Sequence, residues 1–236
     1  MNIYEIGDLG EKLSTNPYPG RGIVLGTTPD GTKSVAAYFI MGRSVNSRNR
    51  IFAEEPDGIR TEAYDPSKVS DPSLIIYHPV RRYEGNLIVT NGNQTDTVRD
   101  YLAEGKGFAE ALRTREFEPD GPNFTPRISG IICPDGSYLM SILKSLDEAG
   151  SACVRQTFEY PAAPGLGHFL HTYVTDGNPI PSFTGEPERV AVDNDIQAYT
   201  DLIWNSLNED NKISLYVCYR DIATGESEER IINKHQ

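Results

Sequence analysis

Cysteine is scarce in this chain: Cys133, Cys153 and Cys218 are the three among 236 residues, and no Cys-x-x-Cys pair occurs. So small and odd a count, so widely spaced, argues against a disulfide scaffold and fits a reducing cytoplasm. Each cysteine is expected in a strand as a small buried hydrophobe. Positive charge is also in deficit, with 22 Lys and Arg against 34 Asp and Glu and a net charge of −12. A basic face for DNA, RNA or an anionic membrane is therefore not expected. Long apolar runs are missing too. The strongest window, residues 35–41, falls far short of the roughly 20 residues that cross a bilayer. The start, Met1-Asn2-Ile3-Tyr4-Glu5, lacks the basic and apolar regions of a signal peptide. The expectation is a cytoplasmic protein.

What is present suits a globular protein. Hydrophobic residues make up 38% and charged residues 24%, enough to bury a core in one large domain or two small ones. No repeat or linker divides the chain. The first half reads as hairpins, with strands at 22–25 and 34–41 around Pro29-Asp30-Gly31, and at 74–77 and 87–90 around Glu84-Gly85-Asn86. A helix is expected over 97–115, with Gly105 and Gly107 as places where it bends or splits. Strands follow at 127–133, 137–143, 152–160 and 168–174, then a helix at 193–207 and a closing hairpin of 212–220 and 228–232. Many antiparallel strands with two helical blocks predict an α+β fold, two sheets face to face with helices outside.

One stretch carries more than the rest. Ile88 and Val89 read as strand, Asn91-Gly92 as a turn, and Thr95, Asp96 and Thr97 as candidate caps for a starting helix. Such a junction is a natural anion site, because unpaired amides and the helix dipole point the same way. An ordinary strand–helix junction looks identical at this level. Three arginines, Arg43, Arg48 and Arg50, cluster after an apolar strand and offer planar donors for phosphate or an oxyanion. His168 and His171 are three apart in a strand, hence on opposite faces and a poor shared metal site. Gly165-Leu166-Gly167 opens no helix and is not a dinucleotide fingerprint.

The run Val89-Thr90-Asn91-Gly92-Asn93-Gln94-Thr95-Asp96-Thr97-Val98 resembles the TNGxxTDT-like signature of the stand-alone, archaeal-type IMP cyclohydrolase family. Further pieces lie in the family's order. They are Gly20-Arg21, Gly42-Arg43-Ser44, Ser47-Arg48, Asp71-Pro72 before Leu74-Ile75-Ile76-Tyr77, Phe117-Glu118, Asn123, Thr125-Pro126-Arg127 and residues 167–173. The clear resemblance spans about residues 20–175, within an expected single domain over 1–236. It implies a four-layer αββα sandwich like that of N-terminal-nucleophile hydrolases. Those enzymes expose a Cys, Ser or Thr at the first position, whereas this chain begins Met1-Asn2. Their mechanism is therefore not expected unless processing exposes a residue such as Ser14 or Thr15.

The resemblance further implies closure of the inosine ring: 5-formamidoimidazole-4-carboxamide ribotide becomes IMP and water. The reaction is not a redox change and intrinsically requires neither cofactor nor metal. It needs ring-closing geometry, donors for an oxyanion and groups that move protons. By resemblance, Tyr77, Glu118 and Arg48 are the expected catalytic groups. Arg21, Arg43, His78, Asn91, Gly92, Thr95, Asp96 and Arg127 are expected to bind substrate, with Asp96 capping the helix or meeting a ribose hydroxyl. Arg50 has no clear counterpart. The chain departs from the family where His78 replaces Asn, where one extra residue precedes Tyr77, and where the loop before Arg127 gains a residue. A non-catalytic ribotide-binding protein on the same fold and an amide hydrolase are the alternatives. A purine ribotide is the expected small-molecule partner, with no nucleic acid or membrane, and assembly into a homo-oligomer is left open.

Overall fold

The computed structural model describes residues 2–69 and 76–235. After a short helix, α1 (Leu9–Thr15), the chain enters β1 (Arg21–Thr27) and returns along β2 (Lys33–Met41). The turn between them is held by Asp30 Oδ1, which accepts from Thr28 Oγ1 at 2.7 Å and from the Thr32 amide at 3.0 Å, while Gly31 takes a φ of 75°. A single helical turn, α2 (Val45–Arg48), reciprocally capped by Ser44 and Ser47, leads to a second sheet.

That second sheet is an antiparallel meander of β3 (Ile51–Glu55), β4 (Gly58–Glu62), β5 (Val80–Tyr83), β6 (Asn86–Thr90), β7 (Arg127–Ile132), β8 (Tyr138–Ser145) and β9 (Cys153–Tyr160). Helices α3 (Gln94–Ala103) and α4 (Phe108–Arg113) interrupt it between β6 and β7. The chain rejoins the first sheet through β10 (Leu166–His171), β11 (Glu188–Ala191), helix α5 (Ile196–Ser206), β12 (Lys212–Asp221) and β13 (Ser227–Asn233). The first sheet has the spatial order β11-β10-β1-β2-β12-β13. Its β13 edge carries Ser227, Glu228, Glu229 and Arg230, and Glu228 accepts from Arg230 at 2.7 Å.

Strands buried on both faces read as continuous apolar runs, and β1, β2 and β12 do so because each has something to cover on either side. Ile23, Leu25, Tyr38, Ile40 and Tyr216 face the second sheet and meet Val89, Ile128 and Met140. On the other face, Val24, Phe39 and Val217 meet Leu9, Leu13, Tyr199 and Ile203 of α1 and α5. Ile88, Ile131 and Leu143 on the outside of the second sheet meet Val98, Phe108 and Leu112 of α3 and α4. Three hydrophobic layers separate four layers of secondary structure, so the architecture is α+β, in the order αββα. The sheets pack tightly at Gly130, where a Cβ would stand 2.7 Å from Leu25 Cδ1.

Several expectations shift in detail. The helix foreseen at 97–115 is two helices, α3 and α4, broken where Gly105 takes a φ of 74° and Lys106 N–H turns back to Tyr101 O. The partner of β6 is β5, so the strand expected at 74–77 is not its hairpin mate. Residues 71, 72, 74 and 75 lie outside the described residues. Tyr77 runs beside β4 instead, its carbonyl accepting from the Thr61 amide at 2.9 Å and its amide donating to Thr61 Oγ1 at 2.9 Å. Thr95 and Asp96 do not cap α3, because the helix starts earlier, after Asn93, and no side chain caps it. Cysteine meets the expectation fully only at Cys218; Cys153 is half-buried in β9, and half-buried Cys133 lies just past β7. The hairpin of β3 and β4 and the short α1, α2 and β11 were not foreseen, since none has a long apolar pattern. No helix among the described residues is long and apolar enough to cross a membrane.

Two outcomes follow for stability. Leu25→Ala empties space over Gly130 and is expected to cost about 2–5 kcal/mol in denaturant unfolding. Leu146→Ala, on an exposed side chain, should stay within about 0.5 kcal/mol. The second concerns His168, which is buried between the sheets, bonded to Tyr138 Oη at 2.7 Å and stacked on Tyr160. Burial, and then the charge of Arg189, push its pKa down to about 4. The unfolded imidazole titrates near 6.5, so between those values the unfolded chain takes up a proton that the folded one refuses. Stability must fall as pH falls through that window. His168→Gln is expected to flatten the slope of unfolding free energy against pH there, by up to one proton.

Candidate functional site

Both sheets contribute to a cavity of about 600 Å³. Arg21 enters it from the first residue of β1, Arg127 from the first residue of β7, and Tyr77 from beside β4. The loop Asn91–Asn93 ahead of α3 and the loop around Glu118 supply the rest of one wall.

Charge is unevenly matched in this cavity. Arg43, at the mouth, pairs with Asp176, donates to Gly177 O at 2.9 Å and lies over the Tyr18 ring at 5.1 Å. Arg127 pairs with Glu118 at 3.0 Å and donates to Gln94 Oε1 at 2.8 Å. Arg21 and Arg50 have no carboxylate partner among the described residues. Arg50 is 3% exposed, and its Nε donates to Ser47 O at 3.0 Å. The Nε of Arg21 is buried without a hydrogen-bond partner among the described residues. Burial, and next the charge of Arg21, lower the Arg50 pKa. Two guanidinium groups sharing a buried space without a counter-ion favour an incoming anion. The protein is acidic as a whole, so this positive pole is local.

Beside that pole stands a pair of phenols. Tyr77 Oη lies 3.0 Å from Tyr38 Oη, and Tyr38 is fully buried in the inter-sheet core. Across the cavity, the Thr125 hydroxyl meets Tyr173 Oη at 2.6 Å, and the Thr125 amide donates to Asp120 Oδ1 at 2.7 Å. Tyr18 stacks on Tyr173 with ring centres 5.8 Å apart. The arrangement offers positive charge, a phenol and a carboxylate around one space. Chemically that suits an anionic substrate on which one atom gains negative charge while another gives up a proton.

Asn91 and Gly92 serve this wall through fit. Asn91 donates to Pro126 O at 2.9 Å and accepts from the Ile128 amide at 2.9 Å, which locks the strand-end loop to β7. At Gly92 a Cβ would lie 2.4 Å from Arg127 Nη1 and 2.6 Å from Gln94 Oε1. A methyl group there would push the ends of the Arg127 and Gln94 side chains aside, so the glycine lets the Arg127–Glu118 pair close against the loop as it does.

The other residues singled out from sequence lie elsewhere. Arg48 points away from the cavity; its Nε donates to Gly42 O at 3.0 Å and its Nη2 to Asn211 Oδ1 at 3.1 Å, tying α2 to the start of β12. His78 sits between Glu55 Oε2 at 3.2 Å and Asp96 Oδ2 at 3.4 Å, with Arg81 at 3.0 Å from its Nδ1. Asp96 also accepts from Arg81 Nε at 3.1 Å, and Arg81 pairs with Asp57 at 2.6 Å. Thr95 is fully buried, with its hydroxyl 2.5 Å from Thr90 Oγ1 and 3.0 Å from Gly92 O. These three hold the strand–helix junction together and do not line the cavity. Sequence reasoning missed Tyr18, Tyr38, Asp120 and Tyr173, and placed Arg50 in the arginine cluster without a family counterpart. Pro17-Tyr18-Pro19-Gly20 was the available signal for an ordered aromatic at the entrance.

Gly92→Ala is expected to lose about 1–3 kcal/mol of stability as Arg127 and Gln94 are forced apart. In the variant's crystal structure the Arg127–Glu118 contact should be broken; a variant with parent stability and an intact pair would show that the glycine is not required.

The family model described as IMP cyclohydrolase-like protein matches residues 18–226. Among curated relatives, the protein named IMP cyclohydrolase in Halobacterium salinarum is 30% identical over 132 residues, covering 54% of this chain and 63% of the relative. The protein of that name in Methanopyrus kandleri is 29% identical over 182 residues, covering 70% of this chain and 89% of the relative. In Methanococcus maripaludis the figures are 30% over 154 residues, 60% and 75%. The match thus spans less than two thirds of the halobacterial relative and most of the other two. With a family model covering most of its length and the αββα layers in place, this chain belongs to the IMP cyclohydrolase-like protein family.

Proposed function

We propose that this chain, taken as one unit over residues 1–236, is an IMP cyclohydrolase, a cyclic-amidine-forming hydrolase of purine biosynthesis in the cytoplasm. The observation that carries the reading is the cavity in which two guanidinium groups without carboxylate partners among the described residues, Arg21 and Arg50, adjoin Tyr77 and face a wall bearing Glu118. The substrate is the formamido ribotide, an anion with a carboxamide beside a formyl group.

The carboxamide nitrogen attacks the formyl carbon, and the carbonyl pair moves onto the formyl oxygen. Tyr77, with Arg21 and Arg50 behind it, donates to that oxygen as its charge grows. Glu118, its carboxylate oriented by Arg127, accepts the proton that the attacking nitrogen sheds, and that proton passes on to the alkoxide to make the carbinolamine hydroxyl. The resulting carbinolamine loses its hydroxyl together with the neighbouring ring N–H proton as water, leaving IMP. Arg43, at the mouth with Ser44 and Ser47, is assigned to the phosphate. Arg48 and His78, tied into other contacts, receive no role in this scheme.

IMP formation by metal-stripped protein, corrected for the uncatalysed blank, tests the reading. Tyr77→Phe and Glu118→Gln should each lower kcat about 100-fold or more. Arg50→Met should lower kcat, whereas Arg43→Met should raise KM about tenfold with kcat little changed. A parent protein that forms no IMP above the blank at any substrate concentration overturns the reading.

A further inference from the structure

Tyr38 comes from the middle of β2, paired with Ile23 of β1 on one side and Tyr216 of β12 on the other. Its ring stacks on Phe52 of β3 with centres 5.7 Å apart, so its orientation is fixed from both sheets. It has no exposed surface, and its hydroxyl makes one hydrogen bond among the described residues, the 3.0 Å contact with Tyr77 Oη. The groups facing this pair are Arg21 from β1, Arg50 ahead of β3 and, on the Tyr77 side, Arg127 from β7.

The direction of that hydrogen bond follows from what each hydroxyl can reach. A phenol has one hydrogen to place, and a buried donor without an acceptor is costly. The Tyr38 hydroxyl is enclosed, and Tyr77 Oη is its acceptor. Tyr77 lines the cavity, where water or substrate can accept from it. Burial, more than any other influence, raises the Tyr38 pKa well above the ordinary tyrosine value, and Tyr77 adds to the rise. Tyr38 therefore keeps its proton throughout the neutral range.

We infer that Tyr38 is a positioning residue: it donates to Tyr77 Oη and thereby leaves the Tyr77 hydrogen facing the cavity, aimed at the atom that gains charge. Without Tyr38, the Tyr77 oxygen loses the donor that anchors it and that strengthens its own O–H as a donor, so its hydrogen is presented less effectively to the reacting atom. The inference deepens the proposed cyclohydrolase reading and rests on it. Tyr38 touches Tyr77 and not the cavity, so it governs turnover and leaves substrate binding alone.

The test is a double-mutant cycle on IMP formation by the full chain, with Tyr38→Phe, Tyr77→Phe and the double variant, each first checked for parent-like circular dichroism and unfolding midpoint. Tyr38→Phe is expected to lower kcat about tenfold while KM moves less than about twofold. In the Tyr77→Phe background the same change should alter kcat by less than about twofold, because its only route is through Tyr77. Independent losses in the cycle overturn the inference, as does a Tyr38→Phe variant with parent kcat or one whose defect lies in KM. Should Tyr38→Phe fail to fold, 3-fluorotyrosine at position 38 keeps the ring and oxygen while changing the acidity of the donor. It must then alter kcat without altering KM, and an unchanged kcat overturns the inference. A parent without turnover overturns the functional reading and this inference together; a normal parent with an indifferent Tyr38 overturns only the inference.

Discussion

Everything at the cavity depends on how the two sheets are registered face to face. Arg21 begins a strand of one sheet and Arg127 a strand of the other, while Tyr38 and Tyr77 meet across the gap between them. None of these side chains can find its partner unless the inter-sheet core sets the separation and slip. Leu25 lying over Gly130 is one fixed point of that register. The core also offsets a local penalty. Burying Arg50 next to Arg21, with no carboxylate partner for either among the described residues, is unfavourable, and a well-packed sandwich can tolerate it.

A second polar network does mechanical work on the far side of the junction. Arg81 of β5 gathers Asp57 from the turn between β3 and β4, Asp96 from α3 and His78 from the approach to β5. Together with the buried Thr90–Thr95 contact, this fixes where α3 begins. The loop Asn91–Asn93 is consequently held at the cavity wall from behind. Residues that read as ligands in the sequence are, in the fold, the fastening of that wall.

The strands and helices with strong patterns were legible. Residues 34–41 are apolar throughout because β2 is covered on both faces, and the helix at 193–207 shows the spacing that places Tyr199 and Ile203 on the first sheet. The weakly patterned pieces were not. β3 and β4 carry Glu54, Glu55, Arg60 and Glu62 and look like a polar loop. At the cavity, resemblance pointed to positions and geometry decided their surroundings. Arg48 and Arg50 are chemically identical and two residues apart, yet one reaches Asn211 and the other is buried beside Arg21. No spacing rule separates them, because α2 is a single turn and its end directs the chain inward. Tyr38 was hidden for the opposite reason: within an apolar strand, a tyrosine reads as core. Its hydroxyl matters only because Tyr77 arrives from a different part of the chain.

The β13 edge of the first sheet constrains how copies of this molecule can meet. An exposed strand edge is an open template for another strand. Here that edge carries Glu228, Glu229 and Arg230 in succession, with Glu229 drawn across to Arg82 of the second sheet. An incoming strand would have to compete with that tether. Growth of the sheet through this edge is thereby discouraged.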